Sequence, residues 1–177
     1  MSRTTVEDQL AEFRRRIDRL QALAQVDAAV QRSRIQRHLD ALHTEEASVA
    51  AAARCAPDEV EEKLGRLKTR LIVAEHSVVA DVSDDWATFA AAVEGELRSW
   101  DIYLERLQTS AAAKALEARE QAEAAIGDVR TRRLAIDDRL AQARTAAGDA
   151  WQEQRKRVTA ARDELEQKAA ELSTKLK

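Results

Sequence analysis

Apolar side chains recur every third or fourth residue along most of this chain, which is the repeat of a helix face. Val6, Leu10, Phe13, Ile17 and Leu20 open the series, Ala24 and Ala28 thin it, and Ile35, Leu39, Leu42 and Val49 resume it in a shifted register. The spacing predicts one helix over 4–54 with a register slip near 24–32. At ~1.5 Å per residue that helix would run about 77 Å. Propensity alone does not hold so long a rod in water, so its stripe needs partners.

The clearest punctuation is the stretch RCAPDEVEEKL. Pro57 suits a first helical position, and Asp58, Glu59, Glu61 and Glu62 complement the positive start of a helix. A turn at 55–57 therefore reverses the chain into an antiparallel hairpin. A heptad series follows through Val60, Leu64, Leu67, Leu71, Ala74 and Val78. Ser83, Asp84 and Asp85 then resemble a helix start. Trp86, Val93, Trp100 and Leu107 recur every seven residues, with Leu97 and Leu104 between them, and beyond Ala111 the stripe is mostly alanine.

Two Gly-Asp pairs are the remaining candidate breaks, Gly127-Asp128 and Gly148-Asp149. At the second, Asp149 and Gln152 have capping-box spacing. The expected architecture is all-α, an elongated antiparallel helical bundle with coiled-coil packing of three or four long helices. Its parts are an N-terminal hairpin over 1–82 and a long helix plus a C-terminal helix, starting near 149, over 83–177. A three-helix alternative runs 57–126 and 128–177 with no break at Ser83. A faint repeat accompanies this: shifted by 65 residues, Trp86, Val93, Trp100 and Leu107 lie over Trp151, Val158, Leu165 and Leu172.

Composition narrows the picture to slender helices. With 3 % aromatic and 34 % charged residues, one proline and four glycines, a wide globular core is not expected. Four of the six aromatics nonetheless fall between Ser83 and Gln108. We read Trp86, Phe89, Val93, Trp100, Leu104 and Leu107, with Trp151, as the thickest layer of the core, or as a partner contact where the bundle oligomerises.

Charge excludes one class of partner. The middle third, 55–108, carries 6 Lys/Arg against 12 Asp/Glu within a chain of net charge −3. A nucleic-acid binder normally shows a strongly basic face, so none is expected. The basic triplets Arg14-Arg15-Arg16, Arg130/Arg132/Arg133 and Arg155-Lys156-Arg157 spread around their helices as solvated ion-pairing faces. The apolar run LIVAEHSVVADV is too short and too charged to span a bilayer, and the first residues lack a signal-peptide run. The expectation is a cytoplasmic protein.

Catalytic chemistry finds little footing. His38 and His43 stand five apart, diverging around a helix, and HLDALHTEE lacks the Glu-x-x-His motif of di-iron bundles. Both, with His76, are expected at the surface or rim. Cys55 is the single cysteine, beside a helix start but with no neighbouring histidine. The sequence has no glycine-rich phosphate loop. We therefore expect no enzyme activity, no cofactor and no metal site.

The second half, about 83–177, resembles a known group. The YLERLQ run, the alanine-rich AREQAEA segment, the Gly148–Trp151 step and the final amphipathic helix are similar to small bacterial coiled-coil proteins, cyanobacterial examples among them, labelled as stress-response proteins. That resemblance implies a helical protein expressed under stress and implies no catalytic residues. The function expected is a non-enzymatic coiled-coil scaffold or protein-interaction protein, self-associating as a dimer and able to meet another helical protein. The alternative is a peripheral membrane-surface protein using amphipathic helices. A metal-binding helical enzyme built on His38 and His43 stands third.

Overall fold

The apolar stripes fold as helices, but as shorter ones than their continuity implies. The structure is a computed structural model describing residues 3–24, 29–112, 115–145 and 150–175. Six α-helices occur among these residues: α1 (Arg3–Ala24), α2 (Ala29–Cys55), α3 (Val60–Val82), α4 (Trp86–Ala112), α5 (Leu116–Arg144) and α6 (Ala150–Lys175). A 3-10 turn, Pro57–Glu59, leads into α3, and no strand occurs among the described residues. The all-α expectation holds. The count of three or four long helices does not.

Two expected helices are divided. The rod over 4–54 is instead the pair α1 and α2, packed antiparallel, with Arg14 of α1 ion-paired to Glu46 of α2. In one straight helix those residues would stand about 48 Å apart. The slip near 24–32 marked a reversal, because a stripe this long buries more of itself by folding back than by running on. The second division separates α4 from α5 and follows SAAAKAL, a stretch of good helix formers with no stop signal. Ala115 there is extended (φ −59°, ψ 152°) and its side chain provides no cap. Contacts from α5 back onto α4 hold the reversal. Arg130 donates to Gln108 at 2.8 Å, Arg133 pairs with Asp101 at 2.9 Å, and Arg144 pairs with Glu94.

The other boundaries are more local. The chain turns at 55–57, where the Ala56 N–H bonds to Ala52 O at 2.8 Å and the Glu59 N–H to Ala56 O at 3.0 Å. It also breaks at Ser83, which removes the uninterrupted 57–126 helix. Asp85 Oδ1 accepts the Thr88 N–H at 2.9 Å, an N-terminal cap for α4 that holds the Asp85 carboxyl below its ordinary value. Gly148 and Asp149 lie outside the described residues, while α5 ends and α6 begins on either side of them.

Gly127 interrupts nothing: it sits within α5, with no atom within 4 Å of where a Cβ would stand. Gly127→Ala is thus expected to stabilise the protein by about 0.5–1 kcal/mol, read as a higher urea midpoint. A lower midpoint would show that the glycine serves a backbone need the helix does not reveal.

Successive helices alternate in direction, so α2, α4 and α6 point one way and α1, α3 and α5 the other. Two apolar clusters result. One joins α1, α2 and α3 through residues such as Phe13, Ile17, Leu42, Leu67 and Leu71. The other joins α4, α5 and α6 around Phe89, Val93, Trp100, Ile136 and Leu165. Helix α3 serves both, turning Val73 and Ala80 toward the second cluster. The 65-residue repeat has a structural meaning here. Helices α4 and α6 lie parallel, Trp86 contacts Trp151 at 6.3 Å between ring centroids, and the other repeat partners share one cluster.

Candidate functional site, a buried ion-pair seam

Phe89, Val93, Trp100, Leu104 and Leu107 are buried in the α4–α6 cluster, and Trp86 and Trp151 are partly covered at its edge. Trp100 meets Tyr103 edge-on at 5.7 Å, and Trp86 meets Phe89 at 5.8 Å. Phe89, Val93, Trp100, Leu104 and Leu107 are closed off from solvent. What the helical spacing did not disclose is the polar side of the same layer.

Between the two apolar clusters runs a file of charged side chains contributed by α2, α3, α4 and α6. Arg34 of α2 donates to Asp163 of α6 at 2.9 and 2.7 Å, and its other terminal nitrogen reaches Asp81 of α3. Asp81 is shared with Arg162 of α6 at 2.9 Å. Arg162 also donates to Glu96 of α4 at 2.8 Å and to the Ser77 hydroxyl at 2.8 Å and carbonyl at 3.2 Å. Deeper along the bundle, Arg70 of α3 donates to Glu166 of α6 at 3.1 Å and stacks 4.6 Å over Trp100. Glu45 of α2 then accepts from Arg66 of α3 and from the Tyr103 hydroxyl, each at 3.0 Å. Four carboxylates (Glu45, Asp81, Glu96, Glu166) thus face four guanidiniums (Arg34, Arg66, Arg70, Arg162) inside the bundle.

Burial disfavours charge at Arg34, Arg162, Asp163 and Glu166, and their partners reverse that. For Arg162, the negative charges of Glu96 and Asp81 outweigh desolvation and raise the guanidinium pKa above its ordinary value. Arg34 is raised likewise, Asp163 and Asp81 opposing its burial. Glu166 would be pushed up by burial, yet His38 and Arg70 hold its carboxyl down at about 2. Asp163, half-buried, is also held low against its desolvation by Arg34 and Arg37.

His38 corrects the expectation of surface histidines. It is 2 % exposed, with Nδ1 2.9 Å from Glu166 Oε1. That contact has the distance of a hydrogen bond without its alignment, and Nε2 meets no hydrogen-bonding partner. His43 is exposed, and the His76 ring lies over Gly95 of α4, where a Cβ would collide with it. The histidines do not converge, and among the described residues no group of His, Cys, Asp or Glu is placed to hold a metal ion. Cys55 is exposed at the end of α2.

One basic triplet departs from the expected solvated face. Arg155 reaches the C-terminal end of α3, donating to Asp81 O at 2.9 Å and Ala80 O at 3.3 Å. Its guanidinium lies 5.3 Å from the Phe89 ring centroid and 5.7 Å from that of Trp151. With the Ser83 hydroxyl on Val79 O at 2.6 Å, it adds donors to three carbonyls of the helix end.

The seam was legible in principle. Residues 34, 38 and 45, then 66, 70, 77 and 81, then 155, 162 and 166, repeat at fours, sevens and elevens, the intervals of a buried helix face. Sorting residues into apolar and polar before looking for period hides that signal. Chemically, the arrangement pairs each of its carboxylates with at least one guanidinium donor. A carboxylate held near 2 is a poor proton acceptor at neutral pH.

The outer surface offers a different feature. An open groove between α1 and α3 has a floor of Leu20, Leu23, Val78 and Val79, with Arg15 and Arg19 on its rim. Arg16 and Glu75 join across it at 2.8 and 2.7 Å. No helix among the described residues is long and apolar enough to cross a membrane. No protein-family model, curated protein or solved structure matches the chain.

Proposed function

We propose that this chain is a non-enzymatic helical scaffold that presents the outer faces of its bundle to protein partners in the cytoplasm. The observation that carries this reading is the direction of its chemistry. The buried acids and bases of the seam are spent on one another, and Glu166 is held ionised well below neutral pH. Apolar side chains meanwhile stand on the surface, with Leu23, Val79 and Val82 each 45–48 % exposed at one end. The resemblance of 83–177 to coiled-coil proteins labelled for stress response supports a stress-associated setting.

In-cell cross-linking from residues on the α1/α3 groove, compared between stressed and unstressed cells, tests the reading. A partner captured at one site, and lost when Val79 becomes aspartate, is the expected outcome. Capture that ignores both stress and Val79→Asp would contradict it.

A second reading, a membrane-surface protein, is favoured by the position of Arg15 and Arg19 beside exposed Leu23. Against it, Glu12 and Glu75 line the same groove, and a furrow cannot lay its floor on a flat bilayer. Flotation with vesicles containing roughly one-third anionic lipid at low salt separates the readings, since basic side chains near such a surface gain affinity. The scaffold reading expects the chain to stay at the bottom of the gradient.

A further inference from the structure

Three of the six large hydrophobic side chains exposed among the described residues lie at one end of the α1/α3 face: Leu23, Val79 and Val82. Helices α1 and α3 run parallel, and the Arg16–Glu75 pair fixes their offset. At equal rise the same offset sets Leu23 level with Val82. Arg19 and Arg15 stand one and two turns before that level on α1, both exposed and, among the described residues, without an ion-pair partner. Asp84 and Asp85 stand just beyond it, exposed in the link to α4. Glu12 and Glu75 line the same stretch, and against Arg15, Arg16 and Arg19 they leave it a net charge of +1, so along its length the face reads weakly basic, apolar, acidic.

We infer that this face docks a second copy of the chain, antiparallel about a two-fold axis, so that Arg15 and Arg19 of each protomer meet Asp84 and Asp85 of the other. A surface of that order is complementary to itself when its direction is reversed, because the apolar centres coincide and opposite charges meet at both ends. Competing occupants match only half of it. An acidic helix would satisfy the arginines but oppose Asp84 and Asp85, and an anionic bilayer would do the same while leaving the furrow unfilled.

The stretch from Arg15 to Leu23 is about 12 Å, which the two-fold doubles to roughly 25 Å. Two helices wide, this covers roughly 500 Å² per protomer, below the usual size of a stable interface. The dimer is correspondingly weak and salt-sensitive.

The docking rests on the scaffold reading, and sedimentation velocity of the full chain tests it apart from that reading. Between roughly 10 μM and 1 mM, a range suited to an interface this small, the wild type should shift from monomer to dimer. Added salt should weaken the shift. Val79→Asp should abolish it with helicity by circular dichroism unchanged. Arg19→Glu and Asp84→Lys should each weaken it at least about tenfold, the loss of one or more ~1 kcal/mol charge contacts. Mixing those two variants should restore it, because each new glutamate then meets a new lysine and each retained arginine a retained aspartate. A chain that stays monomeric throughout, a dimer indifferent to Val79→Asp, or folded variants that fail to rescue one another would overturn the docking. A monomer that still cross-links to a specific partner overturns the docking alone.

Discussion

Arg162→Met should destabilise the protein by about 3–5 kcal/mol, the range seen when one partner of a buried ion pair is removed. Arg162 is among the largest fully buried side chains, and its guanidinium donates four hydrogen bonds, to Asp81, Glu96 and both oxygens of Ser77. Methionine fills much of the space but provides no donor. Asp81 keeps Arg34, so the uncompensated charge falls chiefly on Glu96, whose remaining contact is the Trp100 N–H at 3.4 Å. Removing that charge as well should reverse much of the damage. The double variant Arg162→Met/Glu96→Met is therefore expected to recover at least half of the lost stability, because an apolar pair of similar volume carries no desolvation penalty. Urea titrations of the two single variants, the double variant and the wild type give the coupling directly. A single Arg162→Met loss below about 1 kcal/mol would mean that water reaches the seam and the pairs behave as surface bridges.

Acid should unfold the protein partly through Glu166. Its folded-state pKa of about 2 lies below the ordinary 4.5, so the unfolded chain takes up the proton first. The stabilisation is fully present above the unfolded value and is lost as pH falls from about 4.5 toward 2, an effect on the order of 3 kcal/mol. Asp163, depressed by the Arg34 and Arg37 contacts, acts in the same direction with a smaller share because it is half exposed to solvent. Stability measured by denaturant titration from pH 7 to pH 2.5 should decline steeply in the wild type. In Glu166→Gln it should start lower at neutral pH and decline less, since the group that titrates is gone while Arg70 has lost its counter-charge. Parallel pH profiles for the two proteins would show that Glu166 is not held ionised by its neighbours.

Both effects arise from residues whose roles were hidden for one reason. Arg34, Arg70 and Arg162 resemble the surface arginines of any helix, and only the meeting of four helices turns them inward. His38 was misplaced in the same way. Its neighbour Leu39 belongs to the apolar stripe, and a helix with a single inward stripe turns the adjacent residue outward. Helix α2 packs on α1 and α3 and also reaches α6 through Arg34 and His38, so it has two inward faces and adjacent residues can both be buried. Trp100 carried a clue. Tryptophan and Tyr103 both need a polar partner when covered, and Glu96 and Glu45 provide it.

Helix as the only regular element among the described residues, the reversal at 55–57, the break at Ser83 and the sequence kinship of α4 with α6 all follow from periods, Pro57, Asp85 and a 65-residue echo. Each of these is a local preference repeated often enough to be read in one dimension. The folding back of 4–54 into two helices, the division near Ala115 and the pairing of charges across the seam came only with three-dimensional packing. A stripe states how much surface must be covered and leaves open what covers it. Alanine-rich sequence permits both a bend and a continuation, and the contacts formed after the bend are what select it.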